Sequence, residues 1–107
     1  MSYRYMRLMV FFDLPVGSFS ERKAATQFRR FLMKNGFIMN QYSVYSKFAL
    51  NASQADLIKA SVRKHIPANG NVQLLQVTER QFSDIEFLVG EQCNKIVSSS
   101  DRWVVIE

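Results

Sequence analysis

The stretch Phe37-Ile38-Met39-Asn40-Gln41-Tyr42-Ser43-Val44-Tyr45-Ser46-Lys47-Phe48-Ala49-Leu50 decides the fold. It is rich in aromatic residues and holds neither glycine nor proline, so it reads as extended: two short strands, or one ribbon bent near Tyr42-Ser43. Helices flank it on both sides. Upstream, Ser18 and Glu21 form an S-x-x-E capping box that opens a helix, and Asn35-Gly36 closes it. Inside, Ala24, Ala25, Phe28, Phe31 and Leu32 make an apolar stripe at helical spacing. Downstream, Ser53 with Asp56 three residues on opens a second helix, with Ala55, Ile58, Val62 and Ile66 inward and Pro67 as its stop.

Working outward, Tyr3 to Phe12 reads as a strand, and after an Asn69-Gly70 turn Val72 to Thr78 reads as another. The order strand, helix, strand pair, helix, strand is that of an α+β, ferredoxin-like βαββαβ sandwich: an antiparallel sheet with both helices on one face. The first strand has two unlike faces. Met6, Leu8, Val10 and Phe12 suit a core beneath helices, whereas Tyr5, Arg7, Met9, Phe11 and Asp13 mix large apolar groups with charge. That second face, on the open side of the sheet, suits cover by a partner chain or a ligand. Ile85 to Val89, Lys95 to Val97 and Arg102 to Ile106 are β-prone runs beyond what the sandwich needs. They form a C-terminal extension, about residues 82–107, that supplies an extra strand for a sheet edge or a dimer mate.

The chain has 107 residues, 48% of them hydrophobic and 21% charged, which is enough for one domain with a core that needs no staples. A disulfide framework is excluded because Cys93 is the only cysteine. The apolar run Leu8 to Phe12 stops at Asp13, too short for a signal sequence or a membrane span, so the expected location is the cytoplasm. Charge is polarised along the chain. Residues 1–64 hold eleven basic and three acidic groups, and residues 65–107 hold three basic and six acidic. The basic half either attracts a polyanion such as nucleic acid or is a face kept charged for solubility. Arg22, Lys23, Arg29, Arg30 and Lys34, all on the first helix, concentrate that charge.

The inventory of chemical groups is short. No Cys/His cluster has zinc spacing, and no Gly-rich loop cradles a nucleotide. His65 near the end of the second helix reads as a partner for the helix dipole, and Cys93 as an incidental thiol. Asp13 stands apart. It ends the first strand after two Phe residues and before Leu14-Pro15-Val16-Gly17. Its carboxylate either caps backbone N–H groups in the turn or serves a hard metal, as magnesium needs only one or two carboxylates beside waters and phosphate oxygens.

The motifs Phe11-Phe12-Asp13-Leu14-Pro15, Gln41-Tyr42-Ser43-Val44-Tyr45, Thr78-Glu79-Arg80-Gln81-Phe82 and Phe87-Leu88-Val89-Gly90 lie in an order that carries a resemblance. Together with the basic helix, they resemble the small universal CRISPR-associated adaptation protein, the second subunit of the spacer-acquisition complex. The likeness covers nearly the whole chain and is strongest to members that accompany type II systems. It implies a ferredoxin-like homodimer, paired through the open sheet face, that bridges dimers of the larger adaptation integrase and holds double-stranded DNA. It also implies a magnesium-dependent endonuclease acting on RNA or DNA, with Asp13 as catalytic residue and Mg2+ ligand. The basic side chains Arg22, Lys23, Arg29, Arg30 and Lys34 then contact the nucleic-acid backbone.

Two rival readings keep the same architecture. One is a single-stranded RNA-binding module with Tyr5, Phe11 and Tyr45 as stacking platforms, against which the glycine-free run from Ser43 to Leu50 argues. The other is a regulatory domain whose basic helix is only solvated.

Overall fold

The computed structural model describes residues 5–90. The elements run β1 (Met6–Asp13), α1 (Phe19–Lys34), β2 (Ile38–Gln41), β3 (Val44–Ala49), α2 (Ala52–Lys64), β4 (Asn71–Thr78) and α3 (Glu79–Ser83). The four strands form one sheet in the order β2-β3-β1-β4, with β1 antiparallel to both neighbours. This is the α+β, ferredoxin-like arrangement that the strand pair between two helices predicts.

Register assigns each residue a face. Val10 lies opposite Tyr45 on β3 and Leu74 on β4, and residues directly opposite in an antiparallel pair share a side. The even-numbered β1 residues therefore point with Tyr45, Ala49, Val72 and Leu74 toward the helices. Leu8, Val10 and Phe12 bury there against Phe28 and Leu32 of α1 and Ala55, Ile58 and Val62 of α2. Phe12 meets Phe28 edge-on at 5.2 Å and stacks on Tyr45 at 5.6 Å, fixing α1 over the end of β1.

The helix ends are set by side chains. The Ser18 hydroxyl accepts from the Glu21 amide at 3.2 Å, and the Glu21 carboxylate accepts from the Ser18 amide at 3.0 Å, so the predicted capping box is formed. For α2 the prediction is two residues late: Asn51 is the cap, its Oδ1 accepting from the Gln54 amide at 2.9 Å. The Gln54 side chain in turn accepts from the Leu50 amide, so this reciprocal pair outcompetes Ser53 and Asp56. α2 also ends sooner, at Lys64, which leaves Ile66 exposed rather than inward.

Beyond β4 the structure adds one element and corrects one expectation. A short helix, α3, follows β4 directly, capped by Thr78, whose hydroxyl accepts from the Gln81 amide at 3.0 Å. Ile85 to Val89 forms no strand; its side chains lie exposed, without a neighbouring strand among the described residues of the kind β-branched residues need. Lys95 to Val97, Arg102 to Ile106, Cys93 and the start of the predicted first strand at Tyr3 lie outside the described residues.

Candidate nucleic-acid interface

Asp13 occupies the last position of β1, opposite Asn71 of β4, with its side chain on the open side of the sheet and exposed. Its carboxylate enters none of the hydrogen bonds or ion pairs found among the described residues, so it caps no backbone group in the turn that follows. Gly70 makes this strand end possible. It has φ +99°, and a Cβ there would lie 2.8 Å from the Asp13 carbonyl oxygen. Beside it, a groove of about 220 Å³ lies between Leu14, Pro15 and Ala24 on one bank and Pro67 and Ala68 on the other. Its only charged lining group, Glu21, is committed to the α1 cap. Among the described residues no three His, Cys, Asp or Glu side chains gather into a cluster around Asp13 or elsewhere.

The five basic residues of α1 do share a surface. At 100° per residue they span an arc of roughly 140° opposite the buried arc of Ala25, Phe28 and Leu32. Lys23, Arg30 and Lys34 cluster at one end of it and are exposed. Arg22 and Arg29 lie on one flank and are tethered: Arg22 donates to the Val16 carbonyl at 3.2 Å, and the Arg29 guanidinium carbon lies 5.7 Å from the ring centre of Tyr42. The arc belongs to the helical layer, whereas Asp13 belongs to the strand end, so the fold groups the cations with each other rather than around the carboxylate.

The open face is partly closed by the chain itself. Arg7 projects onto it and binds Glu79 of α3, with Phe82 at 4.3 Å and Phe48 at 5.9 Å from its guanidinium carbon. Tyr5 packs against Phe48 at 5.6 Å. Tyr45 is not on this face at all. It points into the helical layer at 2% exposure, and burial pushes its phenol above the usual 10.0 despite the opposing charge of Arg29. Of the three aromatic platforms the RNA-binding reading requires, only Phe11 remains free to serve. His65 is the α2 C-cap, its Nδ1 donating to the Ser61 carbonyl at 2.8 Å and its ring stacked on Phe31 at 4.1 Å, a structural post at the helix end. No helix among the described residues is long and apolar enough to cross a membrane.

A family model described as CRISPR associated protein Cas2 matches residues 6–85. The chain belongs to the Cas2 family. The match runs from the first residue of β1 to just beyond α3, so it takes in Asp13, the basic arc and the Arg7 contacts. Cas2 relatives are similar over nearly their full length. The CRISPR-associated endoribonuclease Cas2 of Treponema denticola is 44% identical over 101 residues, covering 94% of this chain and 100% of that protein. That of Streptococcus mutans serotype c (strain UA159) is also 44% identical, with 94% and 93% covered, and that of Ligilactobacillus salivarius 40%, with 94% and 100%. A solved structure described as the crystal structure of Cas2 aligns with TM-score 0.57 and 16% identity, covering 94% of this chain and 99% of that one, a likeness of fold.

Sequence reasoning missed two features of this Cas2 chain. The Arg7–Glu79 pair joins residues far apart in sequence, and no local pattern announces it. The Tyr42–Arg29 contact joins a turn to a helix, and the sequence shows only that an aromatic residue stands at a bend where Gly, Asn or Pro is usual.

Proposed function

We propose that two copies of this chain pair through the open sheet face, hold nucleic acid against the outward arcs of α1, and serve CRISPR adaptation as the subunit that bridges dimers of the larger integrase. The observation that carries this reading is the division of α1 into a buried arc and a basic arc with no acidic residue among its cations. Such a surface contacts phosphates without reading bases, which suits a scaffold for double-stranded DNA. Pairing through the sheet is supported by the exposed apolar side chains left there, Ile38 and Leu75 among them, beside a half-covered Phe11. A chain of this kind works in the cytoplasm, where the polyanion is.

The named relatives are endoribonucleases, and we extend a phosphodiesterase activity on RNA or DNA to this chain, with Asp13 as the residue that acts. An exposed carboxylate that has no cation partner among the described residues fits magnesium, which keeps most of its waters and takes one or two carboxylates. Magnesium bound there would supply Lewis-acid polarisation of a phosphate and an activated water. Asp13 alone completes half of such a site, and a second copy across a two-fold axis supplies the other half.

The experiment is a salt titration of labelled duplex DNA against the full chain and a Lys23→Ala, Arg30→Ala, Lys34→Ala variant. Wild-type affinity should fall steeply with salt, and the slope of log K against log salt should shrink by about one for each phosphate-contacting cation removed. Equal slopes for the two proteins would refute the interface, and absence of binding would leave a regulatory domain.

A further inference from the structure

The β2–β3 hairpin holds up an aromatic ring that the fold does not use. Tyr42 is 74% exposed and is the first of two turn residues between Gln41 and Val44. Ser43, the second, has φ 68°, a left-handed conformation that turn chemistry normally gives to Gly or Asn. This turn is nonetheless held in place. The Ser43 carbonyl accepts from the Phe12 amide at 3.1 Å, which fastens the tip to β1 one residue before Asp13. The Arg29 guanidinium lies over the Tyr42 ring at 5.7 Å from its centre, and Arg29 is itself a member of the basic arc. The turn that carries the ring therefore adjoins the basic arc through Arg29 and the end of β1 through Phe12, the residue before Asp13.

We propose that Tyr42 is a stacking platform for one unpaired nucleobase, with Arg29 on one face of the ring and the base on the other, and that it positions the adjoining phosphate at Asp13. The substrate class follows. Bases inside a duplex are already stacked on their neighbours, so the strand bound here has an overhang, a fork or a single-stranded segment. Every base has a π-face, so the contact is tolerant of sequence, and the neighbouring guanidinium strengthens it. This inference rests on the reading of α1 and Asp13 as a nucleic-acid site.

The test uses the full chain without divalent metal and two probes: a blunt DNA duplex, and the same duplex with a short overhang carrying 2-aminopurine. Tyr42→Ala should bind the overhang probe about tenfold more weakly and the blunt duplex as wild type does, while Tyr42→Phe keeps both affinities. The 2-aminopurine emission should be quenched by the wild type and by Tyr42→Phe but not by Tyr42→Ala. Unchanged overhang affinity in Tyr42→Ala, an equal loss on both probes, or emission insensitive to residue 42 would overturn the stacking role while leaving the interface standing. A wild type that retains neither probe would overturn the interface and this role with it.

Discussion

Arg7 grips Glu79 with two nitrogens, Nε on Oε1 at 2.9 Å and Nη2 on Oε2 at 2.6 Å, across 72 positions of sequence. The Glu79 amide also donates to the Tyr5 carbonyl at 2.9 Å, so α3 is bound to the beginning of β1 through both side chain and backbone. Only a planar guanidinium can make the paired contact and stack on Phe82 at once. Arg7→Lys should lower unfolding stability by about 1–3 kcal/mol, read from urea midpoints, because the lysine retains charge but not the fork. A midpoint equal to that of wild type would show that the pair adds nothing.

Helix α2 offers a direct comparison of two candidate caps. Asn51→Ala should destabilise the fold by about 1 kcal/mol, whereas Ser53→Ala should stay within about 0.5 kcal/mol of wild type. Thermal denaturation of the two variants side by side decides it, and the reverse ranking would move the helix start to Ser53.

Gly70→Ala should be costly and should reach Asp13. The added Cβ meets the Asp13 carbonyl oxygen at 2.8 Å and Leu14 Cδ2 at 2.9 Å, and the backbone sits at positive φ. A loss of roughly 1–3 kcal/mol is expected, with a matching drop in metal-dependent cleavage as the strand end shifts. Wild-type stability in this variant would mean that the α2–β4 loop does not press on β1.

Asp13→Asn separates stability from chemistry. The carboxylate has no partner to lose among the described residues, so the melting temperature and duplex retention should be unchanged, while magnesium-dependent cleavage disappears. Cleavage that survives the substitution would remove Asp13 from the reaction.

Burial makes Tyr45 a source of alkaline sensitivity. Its phenol is held above 10.0 in the fold, so the native state favours the neutral form; the stability this form contributes is present below about pH 10 and declines as pH rises through the raised value. Tyr45→Phe should lose less stability than wild type between neutral and strongly alkaline pH in denaturant titrations. Parallel curves for the two proteins would place the ring in water.

The parts of this fold that were legible in the sequence are those governed by local chemistry. Ser18 and Glu21 announce α1, Asn35-Gly36 its end, and the alternation from Met6 to Phe12 a half-buried strand, because each depends on neighbours within a few residues. Tyr45 was assigned to the wrong side of the sheet because parity along a strand is undetermined until its register is known, and a tight turn at Tyr42-Ser43 sets that register. The five residues of α3 are too few to show a helical period, although Thr78 and Gln81 carry its capping box. Ile85 to Val89 has strand composition without a strand to pair with among the described residues, and composition cannot report pairing. For the candidate site, Asp13 and the five cations were visible as residue types at a strand end and along a helix. The Tyr42–Arg29 contact was not, because it joins a turn to a helix that only the packing of Phe28 on Phe12 brings together.

The sixteen residues of α1 divide their labour around a circumference rather than along a length. Ala25, Phe28 and Leu32 face inward, and a substitution at Lys23, Arg30 or Lys34 disturbs none of them. Natural variation is therefore free to raise or lower the charge of this surface without retesting whether the chain folds. Charge on the outer arc can change one side chain at a time while the buried arc, and the fold it holds, stays as it is.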